Sequence, residues 1–286
     1  MRTENQRRSS NIEDRRGSRM PGGKGGLGLG AIVIALVAAY FGIDPKVALQ
    51  VANTVAPASP STTTGGPVTE SASEAAAREL VSVVLADTED TWKTIFTAGG
   101  GAYREPTLVL FREATQTACG TGQAAMGPFY CSADEKVYID LSFYDALHQR
   151  FQAPGDFAQA YVIAHEVGHH VQHLLGISDQ VDNLRRRNPS QANALSVRME
   201  LQADCFAGLW AQRANAARNI LEGGDVEEAL AAATAIGDDR LQKQSQGYVV
   251  PDAFTHGSSA QRVRWFKRGL EGGELKQCDT FAASSL

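Results

Sequence analysis

Ala160 to Gly176 reads AYVIAHEVGHHVQHLLG and holds four of the chain's six histidines. Inside it, His165, Glu166 and His169 spell His-Glu-x-x-His. On a helix, positions i and i+4 project from one face about one turn apart, so His165 and His169 can grip a single metal ion. Neutral imidazole suits a borderline cation, and zinc fits best. Glu166 stands beside the open position where water binds, placed to take a proton from attacking water and pass it to a leaving amine. The segment must therefore be helical through the motif, and a second element must bring another ligand to the same face. The rival reading is a histidine-rich exposed helix. Tyr161, Val162 and Ile163 before the motif, and Leu174 and Leu175 after it, favour a buried one. Gly168 weakens the helix from inside the motif, a cost that close approach by a neighbour explains.

Three candidates exist for the third ligand. His173 faces the right way but lies eight residues from His165, about 12 Å along the axis, too far for one tetrahedral ion on an unbroken helix. A metzincin-type ligand needs Gly at 172 and His at 175, where this chain has Gln172 and Leu175. The third is MELQADCFAGLWA, Met199 to Ala211, where Glu200 and Asp204 are again i and i+4. Glu200 as ligand gives a His, His, Glu site with one open position. Asp204, one turn on, would accept the N–H of a ligand histidine and fix its ring. The reverse assignment, Asp204 as ligand, stays open. Ala203, Ala207 and Gly208 share this face and would let the two helices pack closely. A solvated acidic face is the plainer reading, and the apolar neighbours weigh against it.

The rest of the chain bounds where such a site operates. Residues 1–24 carry Arg2, Arg7, Arg8, Arg15, Arg16, Arg19 and Lys24 against Glu4, Glu13 and Asp14, and read as a disordered basic cytoplasmic tail. Leu27 to Ile43 is an uncharged apolar run, which predicts a transmembrane signal anchor over 25–43. The basic flank predicts a cytoplasmic N-terminus and an extracytoplasmic domain, a single-pass protein of the cell membrane. Residues 44–74 are rich in Ser, Thr, Pro and Gly and read as a flexible linker. Residues 75–286 form one domain of ordinary size. A net charge of -5 excludes a nucleic-acid binder held by phosphate contacts. Four cysteines outside the cytoplasm suggest disulfides. Cys119 and Cys131 bracket a Gly-rich loop and are the expected pair, leaving Cys205 with Cys278.

Periodicity predicts helices over Ser73–Ala98, Asp156–Gly176 and Ser190–Arg218, another from Asp225, and a last one after the HGSS stretch. Thr107–Phe111 and Lys136–Tyr144 read as strands. This is an α+β pattern.

HEVGHH, then ELQADCFAGLWA, then DAFTHGSSAQRVRWFKRGL, in that order, resemble a bacterial family of neutral zinc metallopeptidases that are anchored by one membrane span. The likeness covers roughly Ala75 to Phe281, and the pairing of His-Glu-x-x-His with Glu-x-x-x-Asp also resembles the gluzincins. It implies a mostly helical, zincin-like domain with a small sheet, one Zn²⁺, and an extracytoplasmic site. It further implies His165, His169 and Glu200 as ligands, Glu166 as base and Asp204 behind a ligand. A peptide or protein would be the substrate. His256, in a loop before a helix start, is a candidate catalytic donor to the oxyanion, with Tyr248 weaker. His170 and His173 read as surface residues or as supports for the ligands, and His148 has no evident partner. The strand Lys136–Tyr144 is a candidate edge for adding a substrate strand. Two other functions remain open: a non-catalytic zinc-containing scaffold, and a zinc amide hydrolase acting on cell-wall peptides.

Overall fold

A computed structural model describes residues 1–18 and 68–286. In chain order the elements are β1 (Ile12–Asp14), α1 (Ala72–Ala98), β2 (Thr107–Phe111), β3 (Ala114–Thr117), β4 (Gly120–Gln123), β5 (Phe129–Cys131) and β6 (Lys136–Asp140). Eight helices in all are described, and the remaining seven follow: α2 (Ser142–Gln149), α3 (Asp156–Leu174), α4 (Ile177–Arg187), α5 (Ala192–Arg218), α6 (Asp225–Ala235), α7 (Asp238–Gln246) and α8 (Ser259–Gly272). Helices dominate beside a small sheet, as the α+β pattern implies.

The four-stranded sheet runs β1-β2-β6-β5, with β2 parallel to both β1 and β6, and β5 antiparallel to β6. β3 and β4 form a separate antiparallel hairpin. Leu108 to Phe111 and Val137 to Asp140 are buried, which is why these strands read as near-continuous apolar runs. Two strand expectations are corrected. The strand expected over Lys136–Tyr144 stops at Asp140, whose carboxylate accepts the N–H of Ser142 at 2.9 Å and of Glu113 at 2.8 Å, and Ser142 opens α2. β6 is also an interior strand; β5 is the outer one on that side.

The largest correction concerns the N-terminal stretch, expected to be disordered. Residues 1–18 are folded onto the domain. β1 pairs Ile12, Glu13 and Asp14 with Leu108, Val109 and Leu110. Glu89 of α1 is fully buried, and three residues of this stretch satisfy it: Ser9 Oγ at 2.5 Å, Arg7 Nη2 at 2.7 Å and Asn11 Nδ2 at 2.9 Å. Arg8 pairs with Glu79, and Arg16 with Asp14 and Glu70. The basic residues are thus partners for the domain's own acids, so their charge does not keep the segment apart.

The expected anchor at 25–43 and most of the linker, 44–67, lie outside the described residues. Of the linker's end, Ser71 caps α1 in a capping box with Glu74. Among the described residues no helix is long and apolar enough to cross a membrane. Residues 1–18 and 68–286 share one sheet through the pairing of β1 with β2.

Helix α3 packs against α5, α6 and α1, and α8 lies along α5. Gly168 is where α3 and α5 cross: a Cβ there would meet the Ala203 Cα at 3.1 Å. Gly208 does not share that contact, as the sequence had suggested. It meets α8, where a Cβ would fall 2.0 Å from the Phe266 carbonyl oxygen, and Gly269 of α8 reciprocates against Cys205. Cys119 pairs with Cys131 and Cys205 with Cys278. The second bridge ties the C-terminal stretch to α5 across 73 residues, a closure worth roughly 4 kcal/mol on the chain-entropy scale.

Candidate metal centre

α3 begins at Asp156 with Gly155 as its cap, one residue before the expected Asp156 cap. The Phe157 N–H is held by Glu228 of α6, and the Phe157 ring stacks on Trp210 of α5. These anchors hold α3 against its partner helix. The crossing at Gly168 then sets His165 and His169 opposite Glu200. Each of the three offers a ligand atom, and these atoms all lie within 4.8 Å of one another. His165 Nε2 stands 3.1 Å from Glu200 Oε2, and His169 Nε2 3.6 Å from Glu200 Oε1. The two rings are perpendicular, with centroids 4.9 Å apart.

The outer nitrogens decide how the rings face. His165 Nδ1 bonds Asp204 Oδ1 at 2.8 Å, and His169 Nδ1 bonds Gln172 Oε1 at 2.9 Å. Gln172 is itself fixed, donating to the Met199 carbonyl and to Gln202. With Nδ1 donating outward, each ring turns its Nε2 lone pair inward. Two Nε2 atoms and one carboxylate make a donor set that fits zinc. Glu166 is 8% exposed and three residues before His169, a spacing that makes helix side chains neighbours. Its carboxylate bonds to no described residue.

Asp204 is fully buried and its carboxylate accepts four bonds: Oδ1 from Tyr161 Oη at 2.5 Å, from His165 and from Arg262 Nη2, and Oδ2 from Arg262 Nε. It is the Glu200 oxygens, and not those of Asp204, that lie nearest Nε2 of the two rings. Burial alone would raise Asp204; Arg262 and His165 outweigh it and hold the carboxyl down to about 2. Burial likewise opposes charge on His165, but Asp204 overcomes it and raises the ring from 6.5 to about 10. Glu200 is driven well down: burial resists, and His169 and His165 prevail.

Zinc bound at this centre would have to displace the proton that His165 holds. Its affinity is therefore expected to rise about tenfold per pH unit between pH 6 and 8, for one proton released, checked by competition titration with a chelating dye. The raised group stabilises the metal-free fold fully below its ordinary 6.5, and that stabilisation is lost as pH climbs through about 10.

His256 is half-exposed and its Nδ1 lies 3.1 Å from Asp238 Oδ1. Asp238 Oδ2 accepts the backbone N–H groups of Thr255, His256 and Gly257. Burial would lower the His256 ring, but the bond to Asp238 and the charge of Glu200 raise it. Tyr248 is exposed, with no side-chain bond into the site among the described residues. His170 is not a surface residue: it is buried, bonded to the Arg104 carbonyl and Tyr130 Oη. His173 lies 3.4 Å from Glu135, and His148 is exposed.

Four residues escaped the sequence reading: Tyr161, Gln172, Arg262 and Asp238. Tyr161 does carry a signal, since it is i−4 to His165 on one helix face. Arg262 and Asp238 arrive from other helices at no fixed spacing.

The close helix pair thus converges two imidazoles and a carboxylate into a donor set that could hold one metal ion, with a glutamate beside them. The chain belongs to the family described as "Putative neutral zinc metallopeptidase", which matches residues 1–281. It is 53% identical to the uncharacterised protein YpfJ of Escherichia coli K12, over 99% of this chain and all of that one. It is also 42% identical to the uncharacterised protein Rv2575 of Mycobacterium tuberculosis H37Rv, over 64% of this chain and 65% of that one. No solved structure matches.

Proposed function

We propose that this protein is a zinc peptidase of zincin-like plan that hydrolyses peptide bonds outside the cytoplasm. The observation that carries the reading is the convergence of His165, His169 and Glu200 with both imidazole rings fixed from behind. Zinc held there would polarise a carbonyl and acidify water. Glu166 takes the proton from that water and hands it to the leaving nitrogen. Asp238 turns Nδ1 of His256 away, which leaves Nε2 to donate to the oxyanion formed at the attacked carbonyl.

Two disulfides support an extracytoplasmic compartment, since such bridges persist where the surroundings oxidise. The pairing of β1 with β2 supports a topology in which residues 1–18 lie on the domain's side. Membrane attachment through the apolar run then leaves both its flanks outside. Single-cysteine labels placed at Thr3 and at Ser285 are accordingly expected to react together with an impermeant maleimide on intact cells. Labelling of Ser285 alone would restore the single-pass topology.

The function is tested with the full chain, made in an oxidising compartment and presented with a mixed peptide library. Cleavage that a chelator abolishes and zinc restores is the expected result. Glu200→Ala is expected to fall from about one zinc per chain to below ~0.1 and to cleave nothing, read by elemental analysis and mass spectrometry. Tightly bound zinc with no cleavage of peptides or cell-wall fragments would leave a scaffold instead.

A further inference from the structure

Arg262 is 2% exposed, deep among helices, and its guanidinium faces the back of the metal centre. Two of its N–H groups grip Asp204 as a fork, Nε to Oδ2 at 2.9 Å and Nη2 to Oδ1 at 2.9 Å. Nη2 also reaches Tyr161 Oη at 3.3 Å and Nη1 the Ile236 carbonyl at 3.3 Å. The helix that carries it is set by the Gly208 and Gly269 contacts, so the fork arrives on a rigid element. We propose that Arg262 is a positioning residue for the metal ligand His165, acting through Asp204. This inference rests on the zinc reading above.

Tyr161 and His165 both bond the same carboxylate oxygen, Oδ1. Two bonds to one oxygen leave the carboxylate plane free to swing about its own bond. Arg262 alone holds Oδ2, and a two-pronged grip fixes the plane. With the plane fixed, Oδ1 aims at His165 Nδ1, and the ring turns Nε2 toward Glu200 and His169. A lysine supplies charge without the fork, so Arg262→Lys keeps the neutralisation and loses the orientation.

Zinc affinity is the readout, measured on parent, Arg262→Lys, Asp204→Asn and the double variant. Loss of a partner behind a ligand typically weakens metal binding by about 10- to 100-fold. Arg262→Lys is expected in that range. The double variant is expected to bind within about threefold of Asp204→Asn alone, because the two residues act in one chain. Arg218→Lys, which disturbs the Asp87 pair away from the centre, is expected to lower the melting temperature and leave zinc affinity within about threefold. Should Arg262→Lys not fold, Asp204→Asn against Asp204→Asn/Arg262→Gln carries the same comparison. Parent affinity in Arg262→Lys, or losses that multiply in either double variant, would overturn the inference alone. A parent protein that binds no zinc would overturn the metal reading itself, a separate and recognisable outcome.

Discussion

Glu166→Gln is expected to keep its zinc and lose peptide turnover by a factor of about 10² to 10⁴ or more, the contribution of a positioned acid–base group. Glutamine has the same shape but cannot accept a proton. It should not disturb the metal, because Glu166 is outside the His165, His169 and Glu200 set. The helix should also survive, since Gln and Glu have nearly equal helix propensity, and the carboxylate bonds to no described residue. Zinc content, the melting temperature and single-turnover cleavage of one defined peptide separate the possibilities. Loss of zinc along with activity would make Glu166 a ligand. Full activity would pass the base role to another group, with His256 next to be tested.

The motif at His165 was legible because helix geometry converts a spacing of four into a shared face. Glu200 and Asp204 were legible for the same reason, and Gly168 signalled the crossing that brings the two helices together. Asp238 and Arg262 carried no such signal. Each reaches its partner across tertiary space, from α7 and α8, and nothing local in the sequence fixes that meeting. The strands β3, β4 and β5 were missed because each is only three or four residues long. They are too short for a period of two to show itself. The N-terminal stretch misled for an electrostatic reason. A run of arginines looks solvated when read alone; here most find carboxylates on α1 or within their own strand.

That stretch supplies the other large expected effect. Deleting residues 1–18 is expected to cost several kcal/mol, with the melting temperature falling by roughly 10 °C or more for a domain of this size. The deletion removes β1 and bares the edge of β2, whose Leu108 and Leu110 belong to the core. It also strips Glu89 of Arg7, Ser9 and Asn11; hydrogen bonds to a charged group are worth about 1.5–3 kcal/mol each. An uncovered strand edge adds a tendency to aggregate. Supplying residues 1–18 as a separate peptide should recover part of the loss, which calorimetry can follow. The same measurement bears on membrane topology. If the shortened chain melts like the parent, β1 contributes nothing to the fold, and nothing then ties both flanks of the apolar run to one side of the membrane. A large loss, recovered by the peptide, means that residues 1–18 and the metal centre must mature in the same compartment.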